Sequence, residues 1–159
     1  MKRKFEAVAV GGTFDEFHKG HRALLLKAFE VGNHVLVGLC ADEFARELRK
    51  PHEVATYEER LKELKNFLEK LGVLGRAEII PLNDPYGPTL SSTRLDAIVV
   101  SKETEPRAND INRKRIAKGL PPLNVVVIRM VPAENHVSIS TTRIRQREID
   151  REGRLLKPS

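Results

Sequence analysis

Gly11-Gly12-Thr13-Phe14-Asp15-Glu16-Phe17-His18-Lys19-Gly20-His21 decides how this chain is read. The apolar run Ala7-Val8-Ala9-Val10 before it reads as a buried strand, residues 5–10, and Arg22-Ala23-Leu24-Leu25-Leu26-Lys27 after it opens a helix. Strand, glycine pair and helix start in that order point to a phosphate site. Glycine lets the backbone turn sharply and approach a ligand, and the unpaired N–H groups at a helix start lie at the positive end of its dipole. His18 and His21 stand three residues apart across that start, so both rings can face one pocket. Neither G-x-x-x-x-G-K-[ST] nor G-x-G-x-x-G occurs, which sets aside the P-loop and the dinucleotide fingerprint. Zinc is also disfavoured: a closed site needs four ligands, and the chain has one cysteine and no H-E-x-x-H.

Outward from this stretch the chain alternates strand and helix. The first helix is expected to run from residue 20 to a left-handed glycine cap at Gly32. Further strands are expected at 34–39, 77–80, 96–100 and 125–130. A short helix is expected at 41–49, stopped by Lys50-Pro51. A second opens at the capping box Thr56-Tyr57-Glu58-Glu59 and stops at Gly72, burying Leu61, Leu64, Phe67 or Leu68, and Leu71. A polar helix covers about 106–118, and a last one starts near Ser140. This pattern predicts an α/β fold: a Rossmann-like single domain with a five-stranded parallel sheet and helices on both faces. No repeat, low-complexity tract or linker divides residues 1–159. Ligands of open α/β sheets bind beyond the carboxyl ends of the strands, which selects 11–21, 41–50, 81–88, 101–105 and 131–142.

With 40% hydrophobic and 31% charged residues, the composition is that of a globular protein rather than a disordered one. Its apolar runs are too short to span a bilayer, and its basic N-terminus leads into a strand rather than a signal-peptide core. A cytoplasmic protein is expected. Cys40 is the single cysteine, so no internal disulfide can form, and it reads as a small buried hydrophobe. The net charge of +6 admits nucleic-acid binding. The positive residues are not gathered in a tail, however, and two tyrosines, six phenylalanines and no tryptophan offer little for stacking bases. A small substrate carrying several phosphates uses the same charge.

A second informative stretch, Ile139-Ser140-Thr141-Thr142-Arg143-Ile144-Arg145, reads first as a helix N-cap. Its hydroxyls and free N–H groups can also hold the β- and γ-phosphates of a nucleotide. Arg143 and Arg145 are two residues apart and cannot face the same way; Arg145 is favoured for the pocket.

G-T-F-D followed by H-K-G-H resembles the H-x-G-H signature of the nucleotidyltransferase superfamily. I-S-T-T-R-I-R resembles its I-S-S-T-x-I-R signature, with Thr141 for the second serine. Together the two motifs span almost the whole chain, which is similar to the archaeal type of phosphopantetheine adenylyltransferase. Asp84-Pro85-Tyr86-Gly87-Pro88-Thr89 and Val100-Ser101-Lys102-Glu103-Thr104 add to the resemblance.

The resemblance implies a single nucleotidyltransferase domain that transfers AMP from ATP to 4′-phosphopantetheine, giving dephospho-coenzyme A and pyrophosphate by direct in-line displacement. By analogy, His21 stabilises the α-phosphate in the transition state and His18 contacts the nucleotide phosphates. Gly12, Thr13, Phe14, Lys102 and Glu103 then belong to the ATP site, and Ser140, Thr141, Thr142 and Arg145 hold the outgoing pyrophosphate. Thr13, Asp15 and Lys50 meet the acceptor, Lys50 through its phosphate. Asp84 and Tyr86 lie where the pantetheine arm runs, or simply form a turn. Mg2+ is implied as a bridge between ATP phosphates, with no assigned protein ligand. The expected partners are these two small molecules, with neither nucleic acid nor membrane. A sister enzyme using nicotinamide mononucleotide, flavin mononucleotide or glycerol phosphate shares the front motif, and a non-catalytic nucleotide- or nucleic-acid-binding module is the reading from a different class.

Overall fold

The computed structural model describes residues 3–15, 17–47 and 54–129. Within them lie five strands, β1 Phe5–Gly12, β2 Gly32–Cys40, β3 Ala77–Leu82, β4 Ala97–Ser101 and β5 Asn124–Ile128. Four helices connect them: α1 Lys19–Val31, α2 Asp42–Glu47, α3 Tyr57–Lys70 and α4 Glu105–Ala117. All strand pairs are parallel and the sheet order is β3-β2-β1-β4-β5. This is the expected Rossmann-like α/β sheet, with its order reversing between β1 and β4.

Period-two alternation sends successive strand residues to opposite faces. Val8, Val10, Val35, Val37, Ala97 and Val99 pack on Leu25, Ala28 and Phe29 of α1 and on Leu64 and Leu68 of α3. Ala9, Ile98 and Val100 face the other way, against Ala108 and Ile111 of α4. Each large core side chain removed from water contributes about 1.5–3 kcal/mol, so the two layers fix the sheet from both sides. Every strand then delivers its carboxyl end to one rim.

Several expectations are corrected. Gly32 is not a left-handed cap: at φ −117° it already belongs to β2. A Cβ there would come within 2.7 Å of Val8 Cγ2 and 3.2 Å of the Ala28 carbonyl, so close packing is what requires glycine. Strand β3 continues through Pro81, which pairs with Leu39. A proline, lacking an N–H, is tolerated there because β3 lies at the edge of the described sheet. Leu71 is 38% exposed, and the buried face of α3 is Arg60, Leu64 and Leu68. Thr56 does cap α3, its Oγ1 accepting the Glu59 N–H at 3.2 Å, and Gly72 follows at φ +72°. The helix expected near Ser140 lies outside the described residues. Among those described, no helix is long and apolar enough to cross a membrane.

Candidate active site

The chain leaves β1 without turning at its glycines. Gly11 and Gly12 are still in the strand, and the reversal falls on Phe14, at φ +52°. A bulky residue is rarely found there. Phe14 is 1% exposed, and its ring packs at 6.3 Å from Phe17 and 5.2 Å from His21. Gly11 and Gly38 are register partners on adjacent strands, and a Cβ on Gly38 would meet Leu82 Cδ1 at 2.7 Å. The glycines therefore lower the floor of the rim, while Phe14 makes the turn.

His18 is the N-cap of α1, and the two histidines cap one another. Nδ1 of His18 accepts the backbone N–H of Gly20 at 3.0 Å and of His21 at 3.3 Å. Nδ1 of His21 accepts the backbone N–H of His18 at 3.2 Å. The rings stack at 3.6 Å with 19° between planes. The expectation of open amides at this helix start is thereby corrected, because the N–H groups of Gly20 and His21 are already taken. A neutral imidazole that accepts at Nδ1 carries its proton on Nε2. The two rings thus satisfy helix-start amides that were expected to be bare. His18 is buried and His21 half-buried, so His21 is the better placed of the two to touch a ligand.

On the opposite face of the sheet, an apolar cleft opens between β1, β2, β3, the 85–89 segment and α4. Gly11, Gly12, Gly38 and Leu82 line its floor, with Tyr86 on one wall and Thr104, Arg107 and Ala108 on another. Of the substrate-site residues expected from sequence, Gly12 and Tyr86 line this cleft. Thr13, Phe14, His18 and His21 belong to the loop and cap beside it, joined to the cleft through Gly11 and Gly12. The Tyr86 hydroxyl donates to Asp110 Oδ2 at 2.8 Å, and Lys114 Nζ sits 5.3 Å from its ring centre. That hydrogen bond, helped by Lys114 and Arg113, holds the Asp110 carboxyl below the usual aspartate value. Tyr86 is therefore fixed with its hydroxyl spent on α4.

Asp15 and Asp84 have work inside the fold. Asp15 is fully buried and accepts the Ala55 N–H at 3.0 Å, and it is not among the residues that line the cleft. Asp84 forms the turn, accepting the N–H groups of Tyr86 and Gly87 at 2.8 Å each. Lys102 and Glu103 are exposed beyond β4, with Lys102 Nζ 3.8 Å from Glu105 Oε1. Lys50, Ser140, Thr141, Thr142, Arg143 and Arg145 lie outside the described residues. Among those described, no group of three or more His, Cys, Asp or Glu side chains could hold a metal ion.

Two buried arginines were missed. Arg60 and Arg115 are each 2% exposed. Arg115 gathers the carbonyls of Pro121, Thr89 and Ser92 at 2.7–3.0 Å, pinning the cleft wall to α4, and burial lowers its pKa. Both could have been found from helical spacing: 60, 64 and 68 share a face, as do 108, 111 and 115.

Residues 9–147 match the model of the cytidylyltransferase-like family, so the chain belongs to that family of nucleotidyltransferases. A phosphopantetheine adenylyltransferase of Methanothermobacter thermautotrophicus is 45% identical over 157 residues, 99% of this chain and 93% of that one. Another, from Pyrococcus horikoshii, is 45% identical over 158 residues, 99% of each chain. Within the wider family, this chain belongs with the archaeal phosphopantetheine adenylyltransferases. A crystal structure of an Archaeoglobus fulgidus protein of unknown function superposes with a TM-score of 0.70 at 31% identity, over 77% of this chain and 88% of that one.

Proposed function

We propose that this enzyme transfers AMP from ATP to 4′-phosphopantetheine in coenzyme A biosynthesis, using the rim built by β1, α1 and the neighbouring cleft. The observation that carries the reading is the reciprocal imidazole cap of His18 and His21, in a chain alignable over nearly its whole length with relatives of that name. An oxygen of the acceptor's phosphate attacks the α-phosphorus of ATP. The new P–O bond forms as the α–β bridging bond breaks, and pyrophosphate leaves with the electron pair. Such a reaction asks the protein for position and charge stabilisation rather than covalent chemistry.

In this reading the Nε2–H of His21 donates to an α-phosphate oxygen as charge builds on it, at the positive end of α1. His18 holds His21 in the donating tautomer and contacts the nucleotide phosphates. Gly12, Thr13 and Phe14 shape the loop around the triphosphate, and Thr13 also reaches the acceptor. Lys50 binds the acceptor phosphate; Lys102 and Glu103 meet the nucleotide beyond β4; Ser140, Thr141, Thr142 and Arg145 receive the pyrophosphate. The apolar cleft takes the pantetheine arm, with the ring of Tyr86 as a wall. Magnesium would arrive with the triphosphate rather than on a protein carboxylate cluster, none being present among the described residues, and would supply charge neutralisation on the leaving group. Residues 1–159 act as one nucleotidyltransferase domain in the cytoplasm, without nucleic acid or membrane.

A panel of 4′-phosphopantetheine, nicotinamide mononucleotide, flavin mononucleotide and glycerol phosphate, each with ATP and magnesium, tests this by pyrophosphate release. Release with 4′-phosphopantetheine alone is expected. Preference for another acceptor assigns a sister activity. No release with any acceptor, together with DNA or RNA binding that weakens steeply with salt, points to the binding module.

A further inference from the structure

Arg60 stands in the charged run Glu58-Glu59-Arg60-Leu61-Lys62-Glu63, yet it is buried beneath the candidate phosphate loop. Its Nε donates to the Ala55 carbonyl at 2.8 Å, and its Nη1 to the carbonyls of Thr13 at 2.9 Å and Cys40 at 2.7 Å. Its Nη2 reaches Asp42 Oδ1 at 3.2 Å. One planar fork therefore joins the loop after β1, the end of β2, the start of α2 and the approach to α3. Asp15 grips the same residue from the other side, accepting the Ala55 N–H at 3.0 Å. The Thr13 carbonyl and the Asp15 carboxylate are thus both referred to Ala55, and between them stands Phe14 at φ +52°.

A left-handed, bulky residue persists only where its surroundings over-determine it, and here the two clamped neighbours do so. Phe14 in turn sets its ring edge-on to His21 at 5.2 Å. We propose that Arg60 is a positioning residue for the transfer reaction: through Thr13 and Phe14 it fixes the imidazole of His21. Lysine cannot replace it, since an ammonium is a point charge without the fork geometry that serves four acceptors at once.

The proposal rests on the adenylyl-transfer reading, and one experiment separates the two. Wild type, Arg60→Lys and Asp42→Asn are assayed with ATP, magnesium and 4′-phosphopantetheine, and the His21 ring nitrogens are followed by NMR. Product from wild type tests the reading; the ratios between variants test Arg60. Folded Arg60→Lys should lose about 10²-fold in kcat, the cost of a catalytic group displaced by about 1 Å. Its KM for ATP should stay within about threefold, and the single Nε2–H tautomer of His21 should give way to a mixture. A merely structural arginine would lower the melting temperature and leave the kcat and tautomer of the folded enzyme alone, and that result overturns the proposal. Should Arg60→Lys fail to fold, Asp42→Asn decides. Asp42 is half exposed and steadies the guanidinium from its outer end. A several-fold fall in kcat at unchanged KM supports the role of Arg60, and unchanged kcat overturns it.

Discussion

Replacing His21 by asparagine, glutamine and alanine separates the cap that its ring makes in the structure from the donor role proposed for it. Its Nδ1 accepts the His18 N–H at 3.2 Å, and its Nε2 is proposed to donate to the substrate. Losing a cap of this kind costs about 1 kcal/mol, or roughly 2–4 °C in melting temperature for a domain of this size. Losing the ring contacts with Phe14 and Phe17, at 5.2 and 5.8 Å, adds on the order of 0.5–1.5 kcal/mol per pair. Losing the donor to the α-phosphate lowers kcat by about 10²–10³. Asparagine places Oδ1 where Nδ1 stood, keeping the cap without the donor. Glutamine extends its amide N–H to where Nε2 stood, keeping the donor without the cap. Melting temperature should therefore rank wild type, His21→Asn, His21→Gln, His21→Ala. Turnover should rank wild type, His21→Gln, then His21→Asn with His21→Ala. Scanning calorimetry supplies the first order, and pyrophosphate release at saturating substrates, well below every midpoint, supplies the second. If the two orders coincide, or His21→Asn turns over within about threefold of wild type, the division of labour between the ring nitrogens is refuted.

Gly38→Ala tests the cleft floor. The new Cβ lies 2.7–2.9 Å from Leu82 Cδ1, Cγ and Cδ2, so Leu82 must swing into the cleft. About 1–3 kcal/mol of stability should be lost to overpacking, and the KM for 4′-phosphopantetheine should rise about tenfold while that for ATP holds, as steady-state kinetics will show. Tyr86→Phe removes the hydroxyl held by Asp110 and should cost about 1 kcal/mol with less than about a threefold change in acceptor KM, whereas Tyr86→Ala should raise that KM further. The lowered pKa of Asp110 has a definite sign. The stability it contributes is present above the ordinary aspartate value of 3.8 and is lost as pH falls through its depressed folded value. Melting curves of wild type and Asp110→Asn should accordingly differ near neutrality and converge below about pH 4. Arg115→Met leaves the carbonyls of Thr89, Ser92 and Pro121 without this donor, at about 1–3 kcal/mol for the buried Thr89 group left unsatisfied. A thermal midpoint within about 2 °C of wild type would contradict that.

The strand and helix order was legible because each strand is a short β-branched run bounded by glycine, proline or a capping residue. The parallel sheet followed from their alternation. Less visible were features that arise only when distant segments meet. Gly32 reads as a helix stop, but it serves the approach of Val8 to the α1–β2 corner. Pro81 reads as a strand end, yet β3 passes through it because an edge position leaves its missing N–H harmless. The candidate phosphate loop was recognised from Gly11 to His21, but the turn was assigned to its glycines, whereas it falls on Phe14, held in the left-handed region between the clamped Thr13 and Asp15. The histidines were read as two side chains sharing a pocket; that each caps the other's backbone depends on ring geometry, which spacing does not encode. Arg60 and Arg115 hid in charged helices, although apolar residues four positions away, Leu64 and Ile111, marked their faces as buried.

The central claim is that an oxygen of the acceptor's phosphate attacks the α-phosphorus of ATP. Supplying 4′-phosphopantetheine with its phosphate labelled by oxygen-18, then weighing both products by mass spectrometry, tests this directly. Dephospho-coenzyme A should carry all of the label and pyrophosphate none. Labelled pyrophosphate, or no dephospho-coenzyme A at all, would contradict it.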